Sequence, residues 1–300
     1  MPVQLPPLQR FEAVMRMTLD EDLADGGDVT SRLTIAEDAV GTGAFVQKAA
    51  GVVCGLPLVG HVARMFDERL VVETLPGFHM NNVEGSYATS RTEPVLRMRG
   101  PLRSLLAAER TCLNLLTHLS GIATLTRQFV TAVEGTGAKI YDTRKTTPGL
   151  RDLEKYAVRV GWGENHRMGL YDMVLVKDNH IAGLAMPLGQ AVAEVVRRSR
   201  AEDADRPIEI EVDTLEQFEV VLGVPGVDVI LLDNMDCPTM AKAVALRDAA
   251  GHGAVLEASG GVNLDTVRAI AETGVERIAI GALTHSAPAL DIGLDVVADQ

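Results

Sequence analysis

Residues 208–261, IEIEVDTLEQFEVVLGVPGVDVILLDNMDCPTMAKAVALRDAAGHGAVLEASGG, carry the pattern that decides the fold. Three short apolar runs (208–213, 228–233 and 254–258) alternate with helical stretches at 214–223 and 238–250. Runs of about six residues are too short for helices and suit strands, and strands separated by helices pair in parallel. The same rhythm extends outward on both sides. Strands are predicted at 138–142 (AKIYD), 172–177 (DMVLVK) and 276–280 (ERIAI), and helices at 187–200 and 263–273. Polar residues gather at the C-terminal end of each run: 142–145, 177–180, Glu211 with Asp213, Asp233 with Asn234, 259–261 and Gly281. Six separate segments with chemistry at one end are what the mouth of a (β/α) barrel requires. A doubly wound sheet would gather its ligand at one switch point, and the chain has neither GxGxxG nor a Walker A loop.

Upstream of residue 122 the rhythm differs. A helix is expected over 11–23, with Phe11, Val14, Met15 and Leu19 apolar, then a turn at 25–28. Residues 42–55 read as a hairpin-like pair of strands broken by Gly51, 57–66 as a helix and 70–75 as a strand. Turn chemistry at 81–85 precedes a strand at 93–99 whose arginines alternate with Val and Met. Pro101 suits the first turn of a helix bearing Leu102, Leu105, Leu106, Leu113 and Leu116, expected to end before Gly121. The division that follows is an α+β sandwich domain over 1–121 and a barrel over 122–286, with the tail 287–300 packed on the first domain.

Composition bounds the function. The chain has 300 residues, 47% hydrophobic and 4% aromatic, so its core rests on Leu, Val, Ile, Ala and Met. A formal charge of −13 argues against coating nucleic acid or an anionic membrane, and no apolar run approaches a membrane span. Cys54, Cys112 and Cys237 are odd in number and far apart, which fits a reducing cytoplasm. The opening MPVQLPPLQR lacks the pattern of a secretory signal. Charge is uneven: residues 97–177 hold 13 Lys and Arg against 7 Asp and Glu, whereas the rest holds 15 against 34. One cationic tract in an acidic protein points to a focused site for a small polyanion.

Five short strings carry the chemistry. Arg144 and Lys145 sit where a strand frays into a loop, a planar fork beside a point charge, suited to carboxylate and phosphate. His166 and Arg167 add an imidazole and a further cation. Lys177 caps a buried run and either binds an anion or forms a Schiff base. Glu211 and Asp233, ending successive strands, hold a divalent metal or ribose hydroxyls, or simply neutralise the cations. Ser259, Gly260 and Gly261 expose backbone N–H groups, and Gly281 through His285 follows the next strand, where barrels often bind phosphate. Together these describe a ligand set bearing carboxylates, phosphate and pyrophosphate with Mg²⁺. A Schiff-base aldolase using Lys177 is disfavoured by the surplus of arginine. A non-catalytic sensor of a phosphorylated acid would need an effector domain, and no segment is left for one.

The strings DTRKTTPGLR (142–151), KYAVRVGWGENHR (155–167), DMVLVKDNH (172–180), EVD, LLDN, EASGGV and GALTHS appear in this order. GGDVT (26–30) and ERTCLNLLTHLSGIAT (109–124) precede them. In this the chain resembles the quinolinate phosphoribosyltransferase family over nearly its full length. The resemblance implies an α/β sandwich domain with an incomplete (β/α) barrel, and phosphoribosyl transfer from phosphoribosyl pyrophosphate to quinolinate. The products are nicotinate mononucleotide, pyrophosphate and CO₂, with Mg²⁺ as cofactor. It also implies a homodimer, or a hexamer of such dimers, in which Arg110 enters the neighbouring subunit's site. There it would join Arg144, His166, Arg167 and Lys177 around the two carboxylates. Lys145, Glu211 and Asp233 would serve ribose, pyrophosphate and Mg²⁺, with Lys145, Lys177, Glu211 and Asp233 the catalytic groups. Ser259, Gly260, Gly281 and His285 would surround the 5′-phosphate. Two departures stand out: Gly161-Trp162-Gly163 replaces the family's triple glycine, and Asn81-Asn82 replaces an Asp-Gly turn.

Overall fold

The computed structural model describes residues 3–74, 87–88, 94–183 and 186–298. Along the chain, a 3-10 turn (Leu8–Arg10) leads to α1 (Glu12–Leu23), α2 (Val29–Thr34), β1 (Val40–Gln47), β2 (Gly51–Val52), α3 (Leu56–Phe66) and β3 (Val71–Thr74). Then come β4 (Tyr87–Ala88), β5 (Pro94–Pro101), the long α4 (Leu102–Ala132), β6 (Lys139–Tyr141), α5 (Arg151–Val160) and β7 (Val174–Val176). The later chain alternates: α6 (Asp178–Ala182), α7 (Leu188–Glu202), β8 (Ile208–Val212), α8 (Leu215–Leu222), β9 (Val229–Asp233), α9 (Cys237–Ala250), β10 (Val255–Ser259), α10 (Val267–Ala271) and β11 (Arg277–Ala279). It closes with α11 (Ala282–His285) and β12 (Ile292–Ala298). No helix among the described residues is long and apolar enough to cross a membrane.

The chain divides into two compact units, one of Met1–Arg127, Thr146–Trp162 and Leu283–Gln300, the other of Gln128–Lys145 and Gly163–Ala282. In the first, an antiparallel sheet runs in the order β12-β1-β5-β3, and β2 pairs with β4. The hairpin expected over 42–55 is therefore not formed: β1 and β2 belong to different sheets. Leu105, Ala108, Cys112, Leu116 and Leu119 form a fully buried stripe on α4 at the three-and-four spacing of a helix face. That stripe lies against β1, where a Cβ on Gly43 would come within 3.3 Å of Leu105.

Two expectations about this unit are corrected. Pro101 closes β5 rather than opening the helix. The helix does not stop at Gly121 but continues to Ala132. Gly121 is there for space: a Cβ would lie 2.1 Å from the Pro288 carbonyl oxygen. The segment α5 was not read as a helix, although Leu153, Tyr156, Ala157 and Val160 give its buried face. The expected turn at 81–85 lies outside the described residues.

The second unit is a parallel six-stranded sheet in the order β6-β11-β10-β9-β8-β7. The first two strands of this unit occupy the two edges of the sheet. Closure would require β6 to meet β7, so the barrel is incomplete, as expected. A residual parallel bridge beside β6 joins Tyr141 to Glu164, with Glu164 N–H donating to the Ile140 carbonyl at 2.8 Å. Each strand alternates with period two. Ile208, Ile210, Val212, Ile230, Leu232, Leu256, Ala258 and Ile278 are buried on one face. The residues between them, Glu209, Glu211, Leu231, Asp233, Glu257 and Ser259, share the other. This second face builds the site.

Candidate active site

A cavity of about 600 Å³ opens at the C-terminal ends of these strands. Arg144 and Lys145 after β6, His166 and Arg167 after the residual bridge, Lys177 after β7, Glu211 on β8 and Asp233 on β9 all line it, with Ser259, Gly260 and Gly261 after β10. The sequence separates the first and last of these by more than a hundred residues; strand ends in one barrel mouth bring them together.

The cations are held by different means. Asp142, fully buried at the end of β6, accepts from the His166 backbone N–H at 2.9 Å and from Asn165 Nδ2 at 2.6 Å. It thereby fixes the segment that carries Arg167. Burial, together with the like charge of Arg144, draws the Arg167 guanidinium below its usual range. Arginine stays charged nonetheless, so the two guanidiniums repel until an anion lies between them. Lys177 Nζ is ion-paired with the Glu211 carboxylate.

His166 is set deeper. Its Nε2 lies 3.0 Å from Glu209 and 3.3 Å from Glu257, both fully buried, and its side chain is only 6% exposed. Burial alone would lower the imidazole value; the two carboxylates overcome that and raise it to about 10. The Arg167 N–H, 2.8 Å from Nδ1, works against a second ring proton. One amide dipole is outweighed by two carboxylates at these distances. Glu257 is itself pushed above the ordinary carboxylate range, first by burial and then by Glu209.

The opposite wall is made of backbone. Gly260 and Gly261 both have positive φ, at +95° and +61°, and Asn234 on the adjoining loop is left-handed at +54°. A Cβ on Gly260 would fall 2.1 Å from Asn234 Oδ1, so only glycine fits. Two successive left-handed residues turn backbone amides into a concavity of the kind that binds phosphate.

Glu211 and Asp233 offer hard oxygen donors on neighbouring strands, and Asp233 is steadied by Asn234 Nδ2 at 2.6 Å. Two carboxylates in an open pocket fit Mg²⁺ held mainly by substrate phosphates, not an all-protein cage. Among the described residues, the three-residue cluster with metal-ligand spacing is instead His166, Glu209 and Glu257.

Three sequence-predicted residues do not line this cavity. Arg110 is exposed on α4 in the first unit, Gly281 follows β11, and His285 ends α11 with its Nδ1 2.6 Å from Ser286 Oγ. Trp162, the departure from the family's triple glycine, is also absent from the lining; it stacks beneath Arg127 at 3.4 Å. Conversely, Glu209 and Glu257 are structurally central and were not singled out, and Asp142 and Asn234 were read only as polar residues at strand ends. Period two was the available signal, since Glu209 shares a face with Glu211 and Glu257 with Ser259.

Comparison with known proteins gives one family. Residues 28–120 match the family model of the quinolinate phosphoribosyl transferase N-terminal domain, and residues 122–295 that of its C-terminal domain. The chain is 44% identical over 283 residues to nicotinate-nucleotide pyrophosphorylase (carboxylating) of Mycobacterium leprae, covering 94% of this chain and 95% of that protein. It is 38% identical over 277 residues to a probable enzyme of the same name from Bacillus subtilis, covering 92% and 90%. The crystal structure of NadC from Streptococcus pyogenes superposes with a TM-score of 0.88 at 33% identity, covering 98% and 99%. That of nicotinate-nucleotide pyrophosphorylase from Ehrlichia chaffeensis gives 0.83 at 40%, covering 96% and 98%.

Proposed function

The chain belongs to the quinolinate phosphoribosyltransferase family, and from that premise we propose how its pocket works. The enzyme transfers phosphoribosyl from phosphoribosyl pyrophosphate to the nitrogen of quinolinate and releases pyrophosphate and CO₂. The product, nicotinate mononucleotide, feeds de novo NAD biosynthesis. The observation that carries this reading is the convergence of Arg144, Lys145, Arg167 and Lys177 on one cavity that the glycine turn at Gly260 and Gly261 also lines.

The two guanidiniums, with Lys177, grip the carboxylates of the pyridine diacid and point its nitrogen at the ribose, mainly a proximity effect. Ser259, Gly260 and Gly261 hold the 5′-phosphate. Lys145 meets the leaving pyrophosphate, and the carboxylates of Glu211 and Asp233 stabilise positive charge developing on the ribose. Glu211 and Asp233 would also hold Mg²⁺, which would supply positive charge to offset the negative charge of the pyrophosphate. Lys177 releases Glu211 on substrate binding and turns to the diacid. After transfer the ring nitrogen is cationic, so the electrons of the adjacent C–C bond are accommodated as CO₂ leaves, and the ring carbon then takes a proton.

The working form is a homodimer in which exposed Arg110 crosses to the neighbouring subunit's pocket, and such dimers assemble into a hexamer where a second interface exists. Exposed Met17 and Leu33 on the first unit favour association. The compartment is the cytoplasm, in keeping with three cysteines that are all free thiols. The test is incubation with quinolinate, phosphoribosyl pyrophosphate and Mg²⁺, with nicotinate as control acceptor. Mononucleotide from quinolinate and not from nicotinate is expected; equal use of nicotinate would refute the reading.

A further inference from the structure

At the floor of the pocket, where His166 and Glu257 line it, lies a group of charges to which the reaction as described gives no role. Glu209 on β8 and Glu257 on β10 are fully buried, and neither pairs with a lysine or an arginine among the described residues. None of their four carboxylate oxygens has a hydrogen-bond partner meeting strict geometry. What faces them is His166 Nε2, at 3.0 and 3.3 Å. Two buried carboxylates cost several kcal/mol unless compensated, and apolar residues at the same positions would be cheaper. Their placement therefore serves something other than stability.

The candidates for that role narrow quickly. Glu209 is not among the residues lining the cavity, so it does not reach substrate directly, whereas Glu257 lines the cavity floor beside His166. His166, however, is connected to the site twice: its backbone N–H is held by Asp142, and the next residue is Arg167, which faces Arg144. A ring clamped at Nε2 and a backbone clamped at N–H leave the segment one orientation. We propose that Glu209 and Glu257 are positioning residues for the diacid, acting through His166 to set the place of the Arg167 guanidinium. The proposal rests on the assignment of quinolinate to the Arg144–Arg167 pair.

Steady-state kinetics of Glu257→Ala and Glu257→Gln test it. Glu257→Ala is expected to raise the KM for quinolinate about tenfold or more, because small displacements of an orienting group cost this much. The KM for phosphoribosyl pyrophosphate should stay within about twofold, since the glycine cradle is untouched. Glu257→Gln should recover most of the loss, because its amide oxygen can still face Nε2 from the same position. An unchanged quinolinate KM in Glu257→Ala, or equal rises in both KM values, would overturn the proposal. Should Glu257→Ala not fold, Glu257→Asp decides: a quinolinate KM raised alone supports the role, and wild-type values for both substrates reject it. Wild-type enzyme that releases no CO₂ from quinolinate removes the assignment underneath, an outcome distinct from any variant result.

Discussion

At the residue scale, two positions show how conformation and chemistry are traded. Trp162 holds φ at +72°, a region that costs a non-glycine residue about 1–2 kcal/mol. Its stack under Arg127, at 3.4 Å, returns about 0.5–2 kcal/mol. Trp162→Gly removes both, and urea unfolding should find its stability within about 1 kcal/mol of wild type. Trp162→Ala keeps the strain and loses the stack, so it should be the less stable of the two by about 1 kcal/mol. Gly260 allows no such exchange. Gly260→Ala sets a methyl against Asn234 in a left-handed position, and should raise the KM for phosphoribosyl pyrophosphate far more than that for quinolinate. A quinolinate-specific defect instead would move the phosphate cradle elsewhere. Arg144, Lys145 and Lys177 were legible in the sequence because they follow short apolar runs, and Arg167 because it stands beside an imidazole in a polar string. Glu209 and Glu257 were not, because a carboxylate inside a strand reads as a solvated face until the barrel interior is known.

At the element scale, α4 is the clearest case of tertiary structure overriding a local signal. Glycine is unfavourable within a helix by about 1 kcal/mol against alanine, which made Gly121 look like an end. In the fold it is the point where Pro288 passes over the helix, 2.1 Å from where a Cβ would lie. Gly121→Ala should therefore destabilise the protein despite its better helix propensity, by about 1–3 kcal/mol as overpacking does. A midpoint in urea at or above that of wild type would contradict the close approach. The segment α5 was hidden for a different reason. Its sequence was dominated by the charged motifs on either side, although the apolar spacing of Leu153, Tyr156, Ala157 and Val160 was present. Strand pairing in the first unit was also out of reach. The partner of β1 is β12, some 250 residues away in the chain, and no local signal reports so distant a neighbour.

At the scale of the whole molecule, an acidic chain brings four cations, Arg144, Lys145, Arg167 and Lys177, to one mouth, with the buried carboxylates of Glu209 and Glu257 beside His166. The strand-then-helix rhythm was enough to read the barrel, since polar residues recur at the same end of every strand, whereas its incompleteness came only from the family resemblance. Proton linkage of the buried trio gives a test of this arrangement. His166, raised to about 10 from 6.5, holds its proton in the folded state after the unfolded chain has lost it. Its contribution to stability is therefore complete below 6.5 and is lost as pH rises toward about 10. Glu257, also raised, acts in the same direction. Urea stability should decline between about pH 6.5 and 8.5, before the buried thiols of Cys54 and Cys112 contribute. A rise across that window would mean that the trio is not assembled as described. Arg144 and Arg167, guanidiniums from separate stretches of chain, line one cavity, and the proposal is that both grip one diacid. Its most direct test is the KM for quinolinate in Arg144→Ala and Arg167→Ala. Each should rise by about tenfold or more, with the KM for phosphoribosyl pyrophosphate within about threefold. Quinolinate kinetics unchanged in both variants would contradict the account.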